Sequence, residues 1–204
     1  LVVLALATLL FGPLTGGATA QQQAVLAPAG DTTISSWIPG THGDEQNLWV
    51  RQPGISSTLV QFDLSGLPPG AQIVSAKLRL FASAASNTTN RLYTTAYPVT
   101  RSWAEDEATW GLASVGQPWE ADGATGSSDH SDPVGWAWTN ALGWLDLELD
   151  HSVVAGWHSD PSGNHGLLLR GEGSANRQVA YWFLSRDHTN PAVQPQLILG
   201  YDLP

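Results

Sequence analysis

"QIVSAKLRLFA", Gln72–Ala82, alternates apolar and polar residues with a period of two. Successive side chains leave a pleated strand on opposite sides, so this period marks a strand with one buried face. Val74, Ala76, Leu78 and Leu80 are expected to face a core, and Ser75, Lys77 and Arg79 to face water. The same period recurs in both directions from this stretch. Upstream lie "DTTISSWI" (Asp31–Ile38), "NLWVR" (Asn47–Arg51) and "STLVQFDL" (Ser57–Leu64), the last followed by the Pro-Gly turn "SGLPPGA". Downstream lie "RLYTTAYPV" (Arg91–Val99), "GWLDLELD" (Gly143–Asp150), "GLLLR" (Gly166–Arg170), "QVAYWFLS" (Gln178–Ser185) and "PQLILGYD" (Pro195–Asp202). About nine to ten short strands separated by turn signals predict an all-β fold, an antiparallel β-sandwich of jelly-roll-like form. One short helix is expected in "DHSVVAGWHSD", capped by Asp150, with Val153, Val154 and Trp157 inward and Pro161 and Gly163 ending it.

The first twenty residues read differently. "LVVLALATLLFGPLTGGATA" is an apolar run closing on the small-x-small pattern Ala18-Thr19-Ala20. That is the form of a secretory signal peptide, here without its basic start. Residues 1–20 are therefore expected to be a leader, 21–30 a linker and 31–204 the sandwich, in a secreted, extracellular protein. No other segment is long and apolar enough for a membrane helix, so no membrane insertion of the mature chain is expected.

Composition narrows the function classes. With 18 acidic against 8 basic residues, the net charge of −10 argues against nucleic acid, whose phosphates need clustered Lys and Arg. There is no cysteine, so neither disulfides nor thiolate zinc sites hold the fold. The histidines follow no metal-binding spacing, and no Gly-x-Ser-x-Gly elbow or Gly-rich phosphate loop occurs. "SSDHSDP" (Ser127–Pro133) brings Ser, Asp and His together, but a catalytic triad is a matter of geometry rather than adjacency. "SWAEDEATW" holds Glu105, Asp106 and Glu107, whose simplest reading is a structural corner between two tryptophans. A structural calcium is the one cofactor to look for, either at this corner or where Asp31 of the first strand meets Asp202 of the last.

The ten tryptophans are the anomaly. Trp37, Trp103, Trp110 and Trp157 are assigned to the core, and Trp182 to a central strand apolar on both faces. Trp119, Trp136, Trp138 and Trp144 lie in or beside the one long irregular stretch, Gly111–Asn140. In "GWLDLELD", Leu145, Leu147 and Leu149 must share the core face, which turns Trp144 outward with Asp146 and Glu148. Sugar rings stack C–H faces on aromatic planes while polar neighbours bind their hydroxyls. Trp119, Trp136, Trp138, Trp144 and Asp146 are accordingly the expected ligand-binding residues, with Asp129, Asp132 and Asn140 as further acceptors.

Several segments together carry a family likeness: "DTTISSW", "LVQFDLSGLPPGAQIVSAKLRLF", "VTRSWAEDEATW", the helix ending at Trp157, "GLLLRGEG" and "YWFLSRDHTNPAVQPQLILGY". Over Asp31–Tyr201 the chain resembles the secreted β-sandwich modules called DNRLRE domains, which are similar to family 96 of the carbohydrate-binding modules. The resemblance implies a sandwich, an extracellular setting and binding of polysaccharides such as alginate. Alginate carboxylates call for positive charge, and only Arg51 precedes Lys77 in the mature chain, so no basic site is carried over. The expected function is non-catalytic recognition of an extracellular, neutral polysaccharide by aromatic stacking. The alternative is a cell-surface structural or adhesive module that binds protein partners or self-associates through the tryptophans. Esterase or lyase chemistry comes third.

Overall fold

The computed structural model describes residues 21–173 and 178–203; the expected leader, residues 1–20, lies outside them. In chain order the strands are β1 (Gln22–Leu26), β2 (Pro28–Ser35), β3 (Asn47–Gln52), β4 (Ser56–Phe62), β5 (Gln72–Ser86), β6 (Leu92–Pro98), β7 (Leu112–Ser114), β8 (Gln117–Pro118), β9 (Gly135–Thr139), β10 (Gly143–Leu149), β11 (Leu167–Glu172), β12 (Val179–Leu184) and β13 (Gln196–Asp202). One α-helix, α1 (His151–Ser159), joins β10 to β11. All strand pairings are antiparallel. Hydrogen bonding runs β1-β13-β5-β12-β3-β4-β11-β6-β9, with β10 added to β5 and β2 to β4. The sheet curls over on itself, giving the all-β sandwich that the alternation implied.

β5 is the spine of one wall, paired with β13, β10 and β12 along its length. Ala76, Leu78 and Leu80 are buried as expected, and Lys77 and Arg79 lie on the outer face. Val74 is a correction: it is exposed, and Ile73 is buried instead. A register shift explains it. Ser75 pairs Gly200 and Ile73 pairs Tyr201, so Val74 is the extra residue of a bulge and the side-chain parity flips there.

The main core gathers Leu78, Leu80, Leu145 and Leu147 of this wall with Val60, Leu167 and Leu169 of the other. On β10 the three leucines are buried and Trp144 and Glu148 are exposed, as the alternation demanded. α1 forms as expected: the Asp150 carboxylate accepts the Ser152 N–H at 2.9 Å, and Val154 and Trp157 are buried. Val153 packs beside them from the rim.

The expected linker, residues 21–30, is instead structure. β1 pairs β13 from Gln22↔Tyr201 to Leu26↔Leu197, and β2 begins at Pro28. β13 would otherwise expose a row of unpaired backbone groups, and β1 covers that edge while Ala24 and Leu26 rest on the core.

A second core lies on the outer face of β4 and β11. Ile34, Leu59 and Leu168 pack there against Val99, Ala108, Ala113, Trp119 and Ala124 of the long crossover from β6 to β9, residues 99–134. That crossover is therefore a folded layer. The turn at Gly123, with φ of +76°, passes so close to the Trp110 ring that a Cβ there would stand 2.5 Å from its Cη2. Among the described residues no helix is long and apolar enough to cross a membrane.

Candidate functional site

Three outward-facing sets of tryptophans result from this packing. The first lies on the outer face of β3 and β12. In β3, Leu48 and Val50 enter the core, which turns Trp49 and Arg51 outward. In β12, Tyr181 and Phe183 enter the core, which turns Ala180 and Trp182 outward. Trp49 and Trp182 are direct cross-strand partners, with ring centroids 6.0 Å apart at 69°. Trp37 arrives from the bend after β2. Ser35 Oγ accepts the N–H groups of Trp37 and Ile38 at 3.1 and 3.2 Å and fixes that bend. The Arg51 guanidinium lies 3.7 Å over the Trp37 ring, a stack that holds the plane in place while leaving Trp37 63% exposed. Trp37, Trp49, Arg51, Ser56, Ser86, Ala180 and Trp182 line an apolar groove of about 220 Å³. Behind it the His42 ring stacks on Trp49 at 6.3 Å and bonds Glu45 Oε1 at 2.8 Å.

The second set is Trp136 and Trp138 on the outer face of β9, opposite Thr95 and Tyr93 of β6. Trp136 is 66% exposed, and the Arg91 guanidinium lies 4.0 Å over Trp138. The third is Trp144, 41% exposed and packed edge-on against Phe81 at 5.2 Å. β9 pairs β6 and β10 pairs β5, so Trp136 and Trp138 take their strand neighbours from β6 and Trp144 takes its own from β5.

Two expected ligand residues are placed elsewhere. Trp119 is 5% exposed, sits in the second core, and donates its Nε1–H to Thr109 O at 3.0 Å. Asp146 is clasped by Arg79, with Nε–Oδ1 2.8 Å and Nη2–Oδ2 3.0 Å, and lies 3.5 Å from Lys77. The Arg79 hydrogen bonds hold the Asp146 carboxyl below the usual carboxylate range. Asp129 is likewise engaged by backbone N–H groups and Arg101. His130 Nδ1 bonds its neighbour Ser131 O, so "SSDHSDP" does not align as a triad.

Trp37 and Trp182, assigned to packing by the sequence, form the groove with Trp49, not singled out, and Arg51, noted only for its charge. The available signal was the alternation of "NLWVR", which puts Trp49 and Arg51 on one face. A broader depression of about 930 Å³ lies where the Asp63–Ala71 turn meets α1, but Trp157, the tryptophan lining it, is buried.

The acidic corner is also resolved. Asp31, Glu105 and Asp187 each bring a carboxylate oxygen within 4.8 Å of the others. Asp202, the partner expected for Asp31, pairs Gln72 at the end of β13 instead. Burial pushes the Asp31 carboxyl up to about 7, and the charges of Glu105 and Asp187 add to the rise against the Arg186 N–H.

The chain is an all-β sandwich that carries a tryptophan-lined groove on an outer face. The chain belongs to carbohydrate-binding module family 96, whose family model matches residues 22–201. Among curated proteins no sequence matches it.

Proposed function

We propose that this carbohydrate-binding module is secreted and non-catalytic, and that it seats a neutral polysaccharide in the Trp37–Trp49–Trp182 groove. The observation that carries this reading is the Trp37 plane: open to solvent, braced by Arg51, and set at the rim of an apolar groove. A braced indole loses little freedom when a sugar ring stacks on it, so most of the contact energy is retained. Arg51 Nη2, which donates to Gln178 Oε1 at 2.9 Å, marks the polar wall available to sugar hydroxyls. Among the described residues that line the groove Arg51 is the one cation, which suits a neutral chain better than a run of carboxylates.

Isothermal titration with soluble neutral β-glucans and with alginate tests this. Trp37→Ala is expected to weaken binding of the preferred glycan by roughly 5–30-fold, the equivalent of about 1–2 kcal/mol for an aromatic contact. Melting should hardly change, because the ring contributes little to the core. Trp136→Ala should leave affinity unchanged. The reverse pattern, with Trp136→Ala weakening binding and Trp37→Ala silent, transfers the site to β9 and ends this assignment. Alginate preferred over every neutral glycan defeats the ligand class.

Trp144→Ala is a control for the third face. Its edge contact with Phe81 and the Arg79 guanidinium 5.1 Å over its ring are local and solvent-facing. The expected loss of stability is about 1 kcal/mol, with unchanged glycan affinity. Thermal melts and the same titration check both halves. A second reading, protein docking or self-association through β9, rests on the exposed Trp136 and Trp138. Sedimentation over a range of concentrations distinguishes it.

A further inference from the structure

We propose that Asp31, Glu105 and Asp187 form a binding site for a divalent cation, calcium by its ligand chemistry. Three separate segments converge there: β2, the turn at 104–107 that opens the crossover layer, and the turn after β12. All three ligands are carboxylates, which suit a hard cation and exclude thiolate or imidazole chemistry. The convergence alone would make only an acidic corner. The second observation is Asp31 Oδ1. Asp31 is 1% exposed, and this oxygen has no hydrogen-bond partner. Its sister oxygen is taken: Oδ2 accepts the Arg186 N–H at 2.9 Å, while the Asp31 N–H donates to Glu105 Oε1 at 2.8 Å. A buried carboxylate oxygen with no donor of its own, on a residue grouped with two further carboxylates, is an acceptor awaiting a positive partner.

Coordination habit favours calcium. Calcium takes roughly six to eight oxygens in a flexible shell at ~2.3–2.6 Å, whereas magnesium demands near-ideal octahedral geometry at ~2.0–2.1 Å and gives up its waters reluctantly. The three oxygens lie within 4.8 Å of one another, close enough for one ion to draw them together. Among the described residues Arg186 is the cation that meets this group: its Nη1 bonds Glu105 Oε2 at 2.9 Å and the Ala29 carbonyl. A divalent ion would balance the remaining charge and tie the crossover layer to β2 and the β12–β13 turn.

The test uses the chelator-treated full chain and calcium alone, without glycan. Calcium should give saturable heat in calorimetry and raise the melting temperature, EGTA should reverse the rise, and magnesium at equal concentration should give a smaller one. Asp31→Asn puts a buried position at risk of misfolding, so Asp187→Asn, on an exposed turn, is the primary variant and Glu105→Gln the second. Each should weaken calcium binding at least tenfold. Identical melting in EGTA and in millimolar calcium, with no calorimetric heat, overturns the proposal. So does calcium stabilisation that both variants retain in full, since the ion then sits elsewhere. Neither result bears on the glycan groove, which is read by sugar titration.

Discussion

Trp119→Ala loses about 3–5 kcal/mol of stability and lowers the melting temperature by roughly 6–20 °C, with glycan affinity intact. The size follows from what the indole fills. Trp119 is the largest buried member of the second core, among Ile34, Leu59, Leu168 and the alanines of the crossover. Its removal leaves a void that the surrounding backbone cannot close, because Ala113 and Ala124 offer no longer side chain to fill it. The indole N–H bond to Thr109 O is lost as well, leaving that carbonyl to find water. The damage should begin locally. Hydrogen exchange should show amides of the crossover losing protection before those of β5 and β10, which belong to the main core. A variant that melts within about 1 °C of the parent would show the crossover to be a loose cover rather than a packed layer. Lost glycan binding at unchanged stability would return Trp119 to the ligand surface.

How far this was readable depends on what each residue's burial requires. Leu145, Leu147 and Leu149 face inward because one short strand with period two admits only one answer, and Trp144 follows from them. Leu78 and Leu80 are legible for the same reason. Val74 is not, because its parity is set by a bulge against Gly200, a residue far along the chain. β1 is hidden similarly: "QQAVL" carries weak alternation, and its strand state comes from the open edge of β13.

The tryptophans show the limit most clearly. Trp119 lies among Gly, Ser and Asp, which suggests an exposed loop, yet it is buried because β4 and β11 carry leucines on the face turned away from the main core as well. Leu59 beside Val60, and Leu168 between Leu167 and Leu169, meant that both faces needed cover. The only long segment available to supply that cover was the crossover. The same logic misfires for Trp182. Its strand also has two apolar faces, but Trp49 and Trp37 line the second, and that face remains open as a groove. Two apolar faces signal a second contact without saying whether protein or ligand makes it.

Asp129→Ala should cost about 3–5 kcal/mol at neutral pH, the range for removing one partner of a buried charged network. Asp129 is wholly buried, and its carboxylate accepts the N–H groups of Glu120, Ala121 and Gly126 at 2.9, 3.1 and 3.0 Å, with Arg101 at 3.3 Å. Burial alone would push the carboxyl up, but these donors together outweigh it and hold it below its ordinary value of 3.8. A carboxyl lowered on folding stabilises the native state above its unfolded pKa, and that stability is lost as the pH falls through the lower, folded one. The gap between parent and variant should therefore be full near neutrality and begin to narrow only as the pH falls below about 3.8. Denaturant titrations of both proteins across that range test the sign; a gap that widens on acidification refutes it. Arg101 also lies 5.9 Å over the Trp119 ring, which joins this network to the second core. The double variant Trp119→Ala/Asp129→Ala should then lose less than the two single losses combined, because either change alone already loosens the crossover on which the other depends. Strict additivity would mean that the carboxylate and the indole hold separate parts of the layer.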